Sequence, residues 1–292
     1  MTRLGKLVLH RFELLEQVGS GGQGQLFAGR DIESGRKVAV KLQRPRMFES
    51  EGQYEEMGEE IRAEGAHTQA LGGIRGIPRF IASGSYGRQR CIVLEFVDGA
   101  VLYDAMIKAR PLKVPTAAAI IGQLCEILDL VHKRPLVHRD VKPENIILEP
   151  DGRVRLIDMG LAIAPGVPTE RGSGTFGYAP PEQWQANPDG VTPQSDVFAL
   201  GCMLLEMTVM QLPYAGMTER PEPDCPVLPA DRLQLVPAEI RSLTLRMVER
   251  APMDRPANVH EVFRELLPFL PSPGTKPPAK PLTPDPTEYY RT

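Results

Sequence analysis

The chain has few cysteines, four in all. Cys91, Cys125, Cys202 and Cys225 lie far apart without C-x-x-C spacing, which argues against a zinc site or a disulfide framework and predicts reduced, mostly buried thiols. A net charge of −3 offers no field for a nucleic-acid partner. No run approaches the roughly 20 apolar residues that a membrane-spanning helix needs. Met1 is followed by Thr2-Arg3-Leu4-Gly5-Lys6-Leu7, whose apolar part is too short for a signal peptide. These absences lead to the expectation of a soluble, cytoplasmic chain with no membrane segment. What the chain does have, 292 residues that are 42% hydrophobic and 24% charged, is enough to bury a large core.

The richest stretch is His138-Arg139-Asp140-Val141-Lys142-Pro143-Glu144-Asn145-Ile146-Ile147. It sets a carboxylate, a cation and an amide at fixed offsets, as phosphoryl transfer requires: Asp140 to meet a hydroxyl, Lys142 to neutralise a moving phosphate, Asn145 to hold a metal ion. The spacing resembles the catalytic loop of eukaryotic-like (Hanks-type) Ser/Thr protein kinases, and four further stretches follow in the order of that family, the last of them with a Gly177-Tyr178-Ala179-Pro180-Pro181-Glu182-Gln183 wording that looks bacterial.

Gly19-Ser20-Gly21-Gly22-Gln23-Gly24-Gln25-Leu26 is a glycine-rich turn. A dinucleotide fingerprint would continue into a helix. Here the chain runs through Glu33-Ser34-Gly35 to Val38-Ala39-Val40-Lys41, which reads as a strand pair, the kinase arrangement. The resemblance implies that Gly19, Ser20, Gly21, Gly22 and Gly24 approach nucleotide phosphates through their backbone, and that Lys41 contacts phosphates and pairs with a helical glutamate. Glu64 falls at the expected register and Glu60 one turn earlier, whereas Glu55, Glu56 and Glu59 suit a solvated face. Leu156-Ile157-Asp158-Met159-Gly160 resembles the D-F-G triplet, with Asp158 implied as the main Mg²⁺ ligand and a flexible Met in place of the ring.

In the fourth stretch, Gly174 to Glu182, Pro180 stands where the family has alanine. The resemblance implies structural roles for Thr175, for Glu182 paired with Arg255, and for Asp196 beneath the catalytic loop. It further implies Leu94 as gatekeeper, backbone contacts to adenine from Glu95 and Val97, and apolar slabs from Leu26, Ala39 and Ile147. Arg139 would read a phosphate on the activation segment, at Thr169 first and Ser173 second. Glu144 and Glu206 match positions that favour basic residues upstream of the target in some members.

The fold expected is therefore α+β and two-lobed: residues 1–97 an antiparallel sheet with one main helix, residues 98–270 mostly helical, residues 271–292 a Pro-rich extended or disordered tail. Helices are expected over Thr116–His132, Ser195–Val209, Pro237–Glu249 and Asn258–Leu267, and the tail carries seven prolines in 22 residues. The implied activity is transfer of the ATP γ-phosphate to protein Ser/Thr hydroxyls with Mg²⁺, or with Mn²⁺ in its place, including activation-loop autophosphorylation; a homodimer acting in trans remains open. A nucleotide-binding pseudokinase and a small-metabolite kinase stay as alternatives. The complete set Lys41, Asp140, Asn145 and Asp158 argues against the first, and Glu182 with Arg255 against the second.

Overall fold

The computed structural model describes residues 4–21, 24–47, 49–169, 172–184, 187–218 and 224–292. The chain divides into two compact units: residues 1–73, 77–97 and 158–160 form the first, and residues 74–76, 98–157 and 161–292 the second.

The first unit is a six-stranded antiparallel sheet with strands β1 (Leu7–Val8), β2 (Phe12–Ser20), β3 (Gly24–Asp31), β4 (Lys37–Gln43), β5 (Phe80–Tyr86) and β6 (Gln89–Glu95). Their order is β1-β2-β3-β4-β6-β5. Side chains alternate along β4, so Val38, Val40 and Leu42 enter one core with Phe12, Leu14, Phe27 and Val93. That leaves Ala39 and Lys41 on the opposite face. There Lys41 pairs in register with Ile92 and Ala39 with Leu94. Helix α1 (Glu51–Ala70) covers this second face, opened by a capping box between Ser50 and Gln53. Its close approach depends on Gly65, where a Cβ would lie 2.8 Å from the Ile92 side chain.

The second unit carries a three-stranded sheet, β7 (Ala100–Val101), β8 (Ile146–Leu148) and β9 (Val154–Leu156). The same unit contains α2 (Leu102–Ile107), α3 (Val114–His132), α4 (Pro181–Trp184), α5 (Pro193–Val209), α6 (Ala230–Leu233), α7 (Ala238–Met247), α8 (Val259–Leu266) and α9 (Glu288–Arg291). The four expected helices are present as α3, α5, α7 and α8, with the ends at His132 and Val209 as expected and the others shifted by one or two residues. Both α3 and α5 start earlier than expected, each with a proline in the first turn, where the missing N–H costs nothing. Every residue of α5 from Ser195 onward is buried, so a residue on any of its faces must be apolar or paired.

Two sequence expectations need correcting. Helix α3 is long and apolar enough by composition to cross a membrane; it is the core helix of this unit, and 72% of its most apolar window is buried inside the protein. Nor is the tail loose, since Leu282 and Thr287 are buried and the segment ends in α9 against α3. Proline fixes φ and so lowers the entropy lost on ordering. The Gln123 and Glu126 side chains of α3 supply the polar partners that prolines cannot supply to one another.

Candidate active site

In the first unit, the Lys41 ammonium donates to Glu64 Oε2 at 2.5 Å and lies 3.5 Å from Asp158 Oδ2. Glu64 is completely sheltered, and Asp158 is 39% exposed. Burial, then the Asp158 charge, pushes the Glu64 carboxyl up to about 7 against the pull of Lys41. Burial also works against the Lys41 ammonium, but Glu64 and Asp158 outweigh it and its hold on the proton is raised. Asp158 adopts φ +69° and accepts the Gly160 N–H at 2.9 Å, which aims its carboxylate while Met159 is buried.

The residues implied for adenine contact sit where strand pairing puts them. Ala39 faces Leu94 across β4 and β6, and Leu26 faces Lys41 across β3 and β4. Glu95 exchanges hydrogen bonds with Arg79, through its own N–H to the Arg79 carbonyl and from the Arg79 N–H to its carboxylate. Val97 ends the 77–97 stretch of the first unit. Gly19, Ser20, Gly21 and Gly24 border the β2–β3 turn, and the Gly21 N–H donates to the Gly24 carbonyl. Gly22 lies outside the described residues.

The second unit holds the loop that carries Asp140. Asp196, fully buried, accepts the N–H groups of His138 and Arg139 at 2.9 Å each and lies 2.8 Å from His132 Nε2. Burial disfavours its charge, but these contacts prevail and lower its pKa. The anchored backbone passes through φ +69° at Arg139, and Gln183 Nε2 clasps the Arg139 carbonyl at 2.9 Å. Beyond it, Asn145 donates through Nδ2 to the Asp140 carbonyl at 2.9 Å and to Oδ2 at 2.8 Å. Lys142 reaches Asp140 Oδ2 at 2.8 Å and Thr175 Oγ1 at 2.5 Å. Thr175 in turn donates to Asp140 Oδ1 at 2.6 Å. The result is a carboxylate held in one orientation beside a cation and a hydroxyl, with the Asn145 amide oxygen left as a hard donor. Ile147, in β8, is half-buried.

The two hydroxyl residues named for the activation segment have different surroundings. Arg139 Nη2 donates to Ser173 Oγ, and Nη1 lies 3.5 Å from the Leu161 carbonyl. Thr169 is instead engaged through its backbone with Asn187, at 3.2 and 3.1 Å, and its hydroxyl is buried. Burial lowers the pKa of the Arg139 guanidinium, with Asp196 opposing, and its Nε has no hydrogen-bond partner among the described residues. Glu182 and Arg255 form a two-pronged pair at 2.7 and 3.0 Å, the arginine wholly buried. Three residues went unnoticed in the sequence: His132 and Gln183, which brace the loop, and Arg110, which pairs with Glu206 at 3.0 Å. Only for Gln183 was there a sequence signal, its place directly after Glu182.

A family model described as the protein kinase domain matches residues 12–266, and the chain belongs to that family. Among curated relatives, the serine/threonine-protein kinase pkn2 of Myxococcus xanthus is 30% identical over 86% of this chain and 31% of its own length. The serine/threonine-protein kinase PknB of Mycobacterium leprae is 29% identical over 88% of this chain and 42% of its own. A probable PknB of Lactococcus lactis is 30% identical over 74% and 34%. The chain thus spans about a third to two fifths of the relatives it matches.

Proposed function

We propose that this chain is a Ser/Thr protein kinase unit that transfers the γ-phosphate of ATP to protein Ser and Thr hydroxyls. The observation that carries this reading is the closed set Asp140, Lys142 and Thr175, with Asn145 beside it. Asp140 orients the substrate hydroxyl and takes its proton as the oxygen attacks the γ-phosphorus and the bond to the β–γ bridging oxygen breaks, leaving ADP. Lys142 offsets charge on the phosphoryl group in transit. Asn145 and Asp158 would hold Mg²⁺, or Mn²⁺, which when bound neutralises charge on the phosphate oxygens; the donors are oxygen atoms throughout, as hard cations require. Lys41, paired with Glu64, would engage phosphates, with the backbone of Gly19, Ser20, Gly21 and Gly24 assisting; Gly22, assigned the same role, lies outside the described residues. Adenine would meet the Glu95 and Val97 backbone between Leu26, Ala39, Leu94 and Ile147.

Protein substrates, a cytoplasmic location and a homodimer acting in trans belong to the same reading. So does autophosphorylation, with Ser173 now ahead of Thr169 because Ser173 is the hydroxyl that Arg139 touches. Radiolabelled ATP with purified protein tests it: label should enter a basic-protein or peptide acceptor with wild type and fall about a thousandfold with Asp140→Asn. Nucleotide binding without transfer by wild type would favour the pseudokinase alternative. Label on small metabolites alone would favour the other.

A further inference from the structure

Residues 272–292 lie beyond the range matched by the kinase family model, yet they are seated on the second unit by contacts built for them. Gln123, a buried residue of α3, uses its whole amide. Its Nε2 donates to the Gly152 carbonyl at 3.0 Å and to the Pro286 carbonyl at 3.1 Å, and its Oε1 accepts the Val154 N–H at 2.9 Å. One side chain therefore ties α3, the β8–β9 turn and the tail together. Two glycines leave room for the seat: a Cβ at Gly152 would lie 2.3 Å from the Asp285 carbonyl oxygen, and one at Gly122 would lie 2.7 Å from the Tyr290 hydroxyl.

The tail is also organised within itself. Asp285 accepts the Thr287 N–H at 3.0 Å and hydroxyl at 2.7 Å, and pairs with Arg291 at 2.8 Å. The Arg291 carbonyl accepts the Gly274 N–H at 2.9 Å, which closes the segment on itself. Tyr289 donates to Glu126 of α3 at 3.0 Å, and Leu282 is 4% exposed. The buried Tyr290 hydroxyl has no partner among the described residues, a desolvation cost that opposes docking.

The β8–β9 hairpin starts one residue after Asn145 and ends two residues before Asp158. We propose that the 272–292 segment is a docked strap that, through Gln123 as a positioning residue, holds the β8–β9 hairpin in order and with it Asn145, the residue of this unit assigned to the metal. Leaving the seat would free the Pro286 end of Gln123 and uncover the Gly152 turn, so the hairpin would fluctuate more. This inference rests on the proposed function only for its effect on metal use.

Hydrogen exchange by mass spectrometry on the full chain tests it without any activity. In wild type, the tail amides of Thr287 and Arg291 and the hairpin amide of Val154 should be protected. Leu282→Asp, which puts a charge into the seat, should speed exchange of all three about five- to tenfold, the factor for one net hydrogen bond or slightly more. Tyr290→Phe, which removes the unpaired hydroxyl, should slow tail exchange. If transfer activity is present, Leu282→Asp should raise the Mg²⁺ concentration for half-maximal rate severalfold at nearly unchanged saturating rate. Unprotected tail amides in wild type would remove the strap. A freed tail with Val154 exchange unchanged would leave a docked tail that braces nothing, and overturn the proposal as well. Protection that behaves as expected in a protein without transferase activity would support the strap while sinking the kinase reading.

Discussion

The Asp196 carboxylate, with no surface exposed, receives the N–H of Arg139 at 2.9 Å and so holds that residue at φ +69°. A non-glycine residue in this region costs of order 1–3 kcal/mol and persists only where the surroundings impose it. The neighbouring bond from His138 and the contact to His132 make Asp196 a three-way anchor beneath the loop.

Asp196→Ala should therefore destabilise the protein by about 3–5 kcal/mol, since it strands two buried backbone donors and His132. Because the pKa of Asp196 is lowered in the fold, its contribution is present above the ordinary carboxylate range and is lost as pH falls through and below it. Denaturant unfolding at pH 7 and at acid pH checks both statements. Equal losses at the two would disprove the linkage.

Glu64 carries the opposite sign. Its folded-state value of about 7 lies above the ordinary 4.5, so its contribution is full below 4.5 and declines as pH rises toward about 7. The melting temperature of wild type minus that of Glu64→Gln should fall by several degrees across this window and level off above it. A difference that stays flat from pH 5 to pH 8 would mean that Lys41 keeps Glu64 ionised throughout.

Asp158→Ala should reduce phosphate transfer about a thousandfold or more while leaving a folded protein, because its 39% exposed carboxylate faces Lys41 without anchoring the core. Circular dichroism and the radiolabel assay are read together. Activity within tenfold of wild type would remove Asp158 from the metal site.

After incubation with Mg-ATP, peptide mass spectrometry should find phosphate on Ser173 before Thr169, because a phosphate on Ser173 would meet the buried Arg139 guanidinium. Ser173→Ala should lower the transfer rate and Thr169→Ala should not. The reverse ranking would show that the segment rearranges before it is modified.

Breaking the Glu182–Arg255 pair should cost about 3–5 kcal/mol in Arg255→Ala, which leaves the Glu182 carboxylate without its partner, and less in Glu182→Gln, which keeps a hydrogen-bonding group. Thermal unfolding of both variants gives the comparison.

Chemistry confined to a few consecutive residues was legible without the fold. Asp140, Lys142 and Asn145 lie within six positions, so their mutual geometry is largely local. The alternation of Val38, Val40 and Leu42 likewise predicts the face on which Lys41 stands. Less could be said of partners far apart in the chain. Glu60 and Glu64 differ by one helical turn, and the seating of Gly65 on Ile92 decides which of them meets Lys41.

By itself the sequence determined the kinase family, the grouping of Asp140, Lys142 and Asn145 in one loop and the main helices, because periodicity and short motifs are local properties of the chain. The tertiary structure decided which hydroxyl Arg139 touches, where the apolar helix α3 goes and whether the Pro-rich tail is loose. Each of these depends on burial against residues remote in sequence: Thr169 is taken up by Asn187, α3 is enclosed by its own unit, and the tail finds Gln123, which lies 163 residues before Pro286. Composition counts such residues but does not say which of them will meet, and that meeting sets the free energy of each contact.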